Sequence, residues 1–65
     1  MTPPKAVRHL TPEQLSERLG KPVGTLKRWR RIRYGPPFMY IGRDVRYRLA
    51  DVEAWEKTRL VTTAA

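Results

Sequence analysis

The sequence predicts a single small α+β domain, mostly α-helical, with the order helix, turn, helix, two-stranded hairpin, helix. Its 65 residues leave room for one small core. Two amphipathic helical patterns are joined by a three-residue link that contains glycine, and two short strand-like runs and a third helical pattern follow. We therefore expect a folded domain over residues 10–59, a disordered lead over 1–9 and a frayed tail over 60–65.

The first helix is predicted over residues 12–19. Thr11 can cap its N-terminus, and Gln14 completes a capping box three residues later. Gly20 is suited to the left-handed conformation that ends many helices. Two leucines lie four residues apart and so share one face, which we expect to enter the core. These predicted core residues are Leu15 and Leu19.

The second helix is predicted over residues 23–32 and has two different faces. Leu26 and Trp29 fall on one side at 100° per residue, which predicts that they enter the core. The opposite side gathers a glycine and three long basic side chains, so this helix is amphipathic with a basic outer face. Those residues are Gly24, Lys27, Arg28 and Arg31.

A β-hairpin is predicted from residues 38–41 and 45–48, with residues 42–44 as the turn. Alternation along the second strand places Arg46 and Arg48 on one face. The other face is apolar and must pack on the helices, because two strands alone are only marginally stable. The predicted core residues of the hairpin are Ile41 and Tyr47.

The third helical pattern begins at Leu49, and its apolar residues share one face. The predicted core residues here are Val52 and Trp55. A tryptophan could also stack on a nucleic-acid base. Trp29 and Trp55 both lie on the apolar stripes of their helices, so we interpret them as core residues.

The positive charge of the chain is concentrated in its middle segment. Fourteen Lys and Arg face six Asp and Glu, a formal charge of +8. Residues 21–48 alone contain nine bases and one acid. Such a segment attracts polyanions and gains affinity by releasing their counterions. The alternative, a solvated basic surface that aids solubility, does not explain why the charge is clustered.

Several classes of site are not expected. Cysteine is absent, which excludes disulfides and thiolate metal sites, and no run approaches the roughly 20 apolar residues of a membrane span. His9 is the only histidine, so we expect a solvent-exposed residue and neither a metal site nor a catalytic triad. The Asp and Glu side chains on the predicted helix surfaces are explained by helix capping and solubility, without a catalytic role. We expect no enzyme activity, no cofactor and no small-molecule ligand, and a cytoplasmic, nucleoid-associated protein of a bacterial host.

The ordered motifs of the chain resemble those of a known family. They are Leu10-Thr11-Pro12-Glu13-Gln14-Leu15, Gly20, Thr25-Leu26-Lys27-Arg28-Trp29-Arg30, Gly35-Pro36-Pro37-Phe38, Ile41-Gly42-Arg43, Val45-Arg46-Tyr47-Arg48 and Asp51-Val52-Glu53-Ala54-Trp55. In this order they resemble the small winged helix-turn-helix proteins related to the MerR DNA-binding domain, above all phage excisionases (recombination directionality factors) and AlpA-like prophage regulators. Pro22 departs from the usual polar cap and Arg33 from a common glycine, which predicts shifted boundaries for the second helix.

The resemblance implies that the second helix enters the major groove and the wing touches the backbone or the minor groove. Thr25, Lys27 and Arg28 are then candidates for base edges or nearby phosphates, and Arg31 for a phosphate. Gly24 would allow close approach of the backbone. In the wing, the expected DNA contacts are Arg43 at the tip, Arg46 and Arg48, although Asp44 could instead pair with its neighbour Arg43.

The expected function is sequence-specific binding of double-stranded DNA as an excisionase. Such a protein binds and bends attachment-site DNA so that a phage integrase performs excision, and the resemblance implies several copies side by side. The alternatives are a small prophage transcriptional regulator of the same fold and a protein-interaction adaptor. MerR-like activators add a dimerisation helix and an effector domain, which about ten residues after Trp55 do not provide. RNA binding is less favoured, since it uses exposed aromatic residues on a sheet.

Overall fold

A computed structural model describes residues 8–61 of the chain. They form three helices and a small three-stranded antiparallel sheet, a mostly helical α+β fold compatible with a winged helix-turn-helix, as predicted. The elements are β1 (His9–Leu10), α1 (Pro12–Leu19), α2 (Val23–Ile32), β2 (Met39–Ile41), β3 (Asp44–Arg48) and α3 (Leu49–Arg59). Within residues 8–61, no helix combines the length and the apolar character that crossing a membrane requires.

The ends of α1 follow from its capping residues. The Gln14 backbone N–H donates to Thr11 Oγ1 at 3.1 Å, and the Thr11 N–H donates to Gln14 Oε1 at 2.9 Å, which completes the capping box. Gly20 ends the helix in the left-handed conformation, and its N–H donates to the Ser16 carbonyl.

The ends of α2 are unusual because neither has a favoured residue. Pro22 precedes the helix without a side-chain cap, and Arg33 follows it in the left-handed conformation with φ 61°. A non-glycine residue there costs roughly 1–2 kcal/mol. The helix nevertheless spans Val23–Ile32, the range that its amphipathic pattern predicts, so the expected shift of its boundaries is wrong.

The sheet contains one strand more than the predicted two-stranded wing. β2 and β3 form the predicted hairpin around a turn of two residues, Gly42 and Arg43. β1 pairs with the other edge of β3, His9 opposite Arg48 and Leu10 opposite Tyr47. His9 thus lies in the sheet, not in a disordered lead, although its side chain is exposed. Residues 1–7 of that predicted lead and residues 62–65 of the predicted tail lie outside the described residues.

The core is small and draws one residue or more from each helix and from β3. Its fully buried members are Leu15, Leu26, Tyr47 and Val52. Leu19 and Trp29 are half-buried against them. Trp55 is also half-buried and contacts Trp29, with ring centroids 5.8 Å apart.

Ile41 does not belong to the core, which corrects the prediction for this residue. It is 51% exposed. The register pairs it with Asp44, and partners in an antiparallel pair point to the same face. Arg46 and Arg48 lie on that outer face too, while Val45 and Tyr47 point to the core.

An ion pair joins α1 to α3 on the surface. Arg18 donates two hydrogen bonds to the Glu56 carboxylate, at 2.7 and 2.8 Å. These bonds lower the pKa of Glu56 below its ordinary value and raise the pKa of Arg18. The pair therefore links α1 to α3 directly.

Candidate nucleic-acid interface

The outer face of α2 consists of the side chains that the helical pattern places there. Leu26 is buried and Trp29 half-buried, which fixes the inner side of the helix. The opposite side is exposed at all four predicted positions, Gly24, Lys27, Arg28 and Arg31. Thr25 lies at the edge of this face and is half-buried, so only part of its side chain is accessible.

The charges of this face have no acidic partner within residues 8–61. The three ion pairs found there are Arg18–Glu56, Arg46–Asp44 and Arg48–Asp51. None of them includes a residue of α2. The side chains of Lys27, Arg28 and Arg31 are therefore exposed and uncompensated by a carboxylate, which is the electrostatic arrangement that attracts a polyanion.

The three arginines predicted for the wing have different environments. Arg43 lies in the exposed turn and has no ion pair among the described residues. Arg46 donates to the Val45 carbonyl at 2.8 Å and lies 3.9 Å from Asp44. Asp44 thus approaches Arg46 rather than Arg43, the partner considered from the sequence.

Arg48 is held more firmly than Arg46. Its guanidinium donates two hydrogen bonds to the Asp51 carboxylate, at 2.9 and 3.3 Å. The pair spans the junction between β3 and the first turn of α3. The structure therefore leaves Arg43 as the most available of the three wing arginines.

One arginine of α2 belongs to the fold rather than to the outer face. Arg30 is half-buried, donates to the Tyr47 hydroxyl at 2.8 Å, and lies over the Phe38 ring, 6.0 Å from its centroid. The helical wheel contains a signal for this, because Arg30 falls about 40° from Leu26. Arg30 fixes α2 against the inner face of the hairpin.

A basic cleft connects the end of α2 to β2. Its volume is about 660 Å³. Arg31 belongs both to this cleft and to the outer face of α2, so the two surfaces are continuous. The lining residues that sequence reasoning did not select are Arg30, Arg33, Tyr34 and Tyr40, together with the loop Gly35–Phe38. Arg33 could have been found, because it continues the basic run of α2, whereas Tyr40 shows no pattern of its own.

The structure brings only some of the basic residues of α2 and of the hairpin together. Arg30 contacts the hairpin, and Arg31 and Arg33 share a cleft with Tyr40 of β2. Arg43 at the hairpin tip follows Tyr40 by three residues. Arg46 and Arg48 alternate with Tyr47, which contacts Arg30, and they therefore lie on the face of the sheet opposite to α2.

Comparison with known proteins agrees with this geometry. No curated protein and no solved structure matches the chain. Residues 10–59, most of the chain, match the family described as the helix-turn-helix domain. Membership in this family supports DNA as the partner. With α1, its glycine-containing turn and the basic α2 in the arrangement described above, this chain belongs to the helix-turn-helix domain family.

Proposed function

We propose that this protein binds double-stranded DNA sequence-specifically by placing α2 in the major groove. The observation that carries the proposal is the outer face of α2, which is exposed, basic and free of ion pairs within residues 8–61. A major groove about 12 Å wide accepts a helix, and arginine binds guanine there through two hydrogen bonds. Lys27 and Arg28 are the proposed base contacts, with Thr25 at the edge of the face and Arg31 on a phosphate.

Gly24 contributes to the proposed interface because it has no side chain. It lies in the first turn of α2 and has open space where a side chain would be. The first turn of a recognition helix is the part that usually reaches the bases. A glycine there lets the helix backbone approach the floor of the groove.

The hairpin supplies the second contact of the proposal. Arg43 would touch the flanking backbone or a narrow minor groove, where arginine is favoured. Arg46 and Arg48 are secondary candidates, because each would have to leave or share a carboxylate partner.

The proposed biological role is that of an excisionase, a protein that shapes attachment-site DNA for a phage integrase and catalyses no bond change. Its support is the motif order shared with excisionases and the compact DNA-binding unit that residues 10–59 form. One small domain makes few contacts, so its affinity for a single site should be modest. Several copies on adjacent sites would compensate for this, in the manner of linked binding events.

Duplex binding is tested by a protection assay on DNA that flanks the gene, repeated at several salt concentrations. Arg28→Ala should weaken specific binding by about 1–3 kcal/mol, while Arg31→Ala should weaken all sequences alike and reduce the salt slope by about one. Lys57→Ala is the matched control, since it removes one positive charge from α3 beside Glu53 and Glu56. If Arg28→Ala and Arg31→Ala both bind duplex DNA with the affinity of the parent protein, α2 is not the recognition helix.

The excisionase role needs its own assay. A purified phage integrase, incubated with the paired attachment sites that it recombines, should produce excision only when this protein is added. Duplex binding without any effect on recombination, but with repression or activation of a nearby promoter, would favour the prophage regulator. Equal binding to duplex, single-stranded DNA and RNA would contradict a groove-reading mechanism altogether.

A further inference from the structure

We infer that the cleft between the end of α2 and β2 is a phosphodiester site, in which Arg33 and Tyr40 join Arg31 on one strand of the duplex backbone. This inference rests on the proposed function and extends it to two residues, Arg33 and Tyr40, that the sequence analysis did not select as DNA contacts. The cleft measures about 660 Å³ and contains three arginines and two tyrosines. It opens beside the outer face of α2, with Arg31 common to both.

The conformation of Arg33 is the first observation behind the inference. Arg33 follows α2 with φ 61°, in the region that favours glycine, and it is the one non-glycine residue with positive φ among the described residues. Its side chain makes no hydrogen bond or ion pair within residues 8–61 that would offset this strain. Backbone strain of this kind concentrates where a side chain has a function.

The chemistry of the cleft is the second observation. Arg31 and Arg33 both line it, exposed and without a carboxylate. Arg30 also lines it, but its guanidinium is engaged by Tyr47 and Phe38 and so completes the wall. Tyr40 is 66% exposed, an unusual position for an aromatic side chain, and its hydroxyl can donate to a phosphate oxygen.

The geometry of a duplex supplies the third step. A sugar-phosphate strand is the ridge that separates the major groove from the neighbouring minor groove. If α2 occupies one groove and Arg43 approaches the next, that ridge must pass between the helix and the hairpin tip. The cleft lies between the end of α2 and β2, the strand that leads to the tip, so Arg31 and Arg33 would meet the sugar-phosphate strand there.

The decisive variant is Arg33→Gly, because it separates stability from binding. Glycine relieves the left-handed strain, so the melting temperature should stay the same or rise. The loss of one phosphate contact should reduce the salt slope for a mixed-sequence duplex by about 0.9, which corresponds to about an eightfold weaker affinity at about 0.1 M salt. Tyr40→Phe removes only the exposed hydroxyl and should weaken binding about fivefold. Lys57→Ala should reduce the slope far less than Arg33→Gly.

Duplexes with a methylphosphonate at one backbone position at a time locate the contact. The parent should lose affinity at a position flanking the protected major groove, and Arg33→Gly should be insensitive to that same substitution. Single-stranded DNA of the same sequence forms the second arm. An equal effect of Arg33→Gly on single strand and duplex would overturn the assignment to a duplex ridge.

The failures of the two proposals are distinguishable. If the parent does not bind duplex DNA, the proposed function is wrong. If the parent binds and Arg28→Ala weakens it, but Arg33→Gly and Tyr40→Phe keep the parental affinity and salt slope, then only the phosphodiester site is wrong.

Discussion

Gly35→Ala should destabilise the domain by disturbing the aromatic cluster behind α2. Gly35 has φ 93°, and a methyl group on it would lie 2.9 Å from Trp29 Cε3. The Trp29 ring cannot easily retreat, because Tyr34 packs edge-on against it with centroids 4.9 Å apart and Trp55 lies 5.8 Å away. The substitution therefore combines backbone strain with overpacking.

The magnitude follows from these two effects. A positive φ costs an alanine roughly 1–2 kcal/mol, and overpacking in a close-packed site costs about 1–3 kcal/mol. The sum, about 2–5 kcal/mol, is comparable with the total stability of about 3–10 kcal/mol expected for 65 residues. Since about 1 kcal/mol shifts the melting temperature of so small a domain by about 4–8 °C, the decrease should reach about 10 °C or more.

Thermal and urea unfolding, followed by far-ultraviolet circular dichroism and tryptophan fluorescence, measure this loss. Gly42→Ala is the matched control, because Gly42 also has positive φ, 65°, but no atom lies within 4 Å of the added methyl. This variant should be destabilised only by the backbone strain of a positive φ, about 1–2 kcal/mol. Equal losses for both variants would refute the packing part of the reasoning.

Two further predictions concern charge. The hydrogen bonds that lower the pKa of Glu56 contribute stability above the ordinary glutamate pKa, and this contribution is lost as pH falls through the lowered value. Unfolding measured from about pH 7 to about pH 3 should show this decrease, which Glu56→Gln should lack; an unchanged profile in Glu56→Gln would contradict it. Arg43→Ala should reduce the salt slope of duplex binding by about one, and Arg48→Ala, whose side chain is held by Asp51, by less. A larger effect at Arg48 would show that its ion pair opens on DNA.

Those parts of the fold that depend on neighbouring residues could be predicted from the sequence. Thr11, Gln14 and Gly20 define the ends of α1 through contacts within four residues, and the spacing of Leu26 and Trp29 defines the inner side of α2. These signals are local, so no knowledge of distant packing is needed.

What depends on distant pairing could not be predicted. β1 has two residues, too few for any alternation, and forms only because β3 offers a free edge. Ile41 has an apolar side chain, yet the register of the hairpin turns it outward beside Asp44. At the end of α2 the backbone adopts a left-handed conformation that favours glycine, yet the residue there is Arg33, so the sequence contains no signal for this conformation.

The candidate site divides in the same way. The exposed face of α2 follows from helical periodicity alone, although its DNA contacts stay predictions. The Arg48–Asp51 pair has a local signal, because the two residues are three apart at a helix start. The cleft has no local sequence signal. Tyr40 comes close to Arg31 and Arg33 only through the path of the proline-containing loop between them, which the sequence does not specify.

The hydrogen bond from Arg30 to the Tyr47 hydroxyl, together with the contact of Arg30 with the Phe38 ring, fixes the position of α2 relative to the hairpin. The spacing between α2 and the hairpin is therefore set by the fold. If α2 and the hairpin both contact DNA as proposed, a duplex whose grooves do not match this spacing would have to deform to reach both elements, and the cost of that deformation depends on the flexibility of its base steps. Sequence selectivity would then extend to base pairs that no side chain touches. A substitution that removes the Arg30–Tyr47 hydrogen bond would change which sequences are bound as well as the affinity for them.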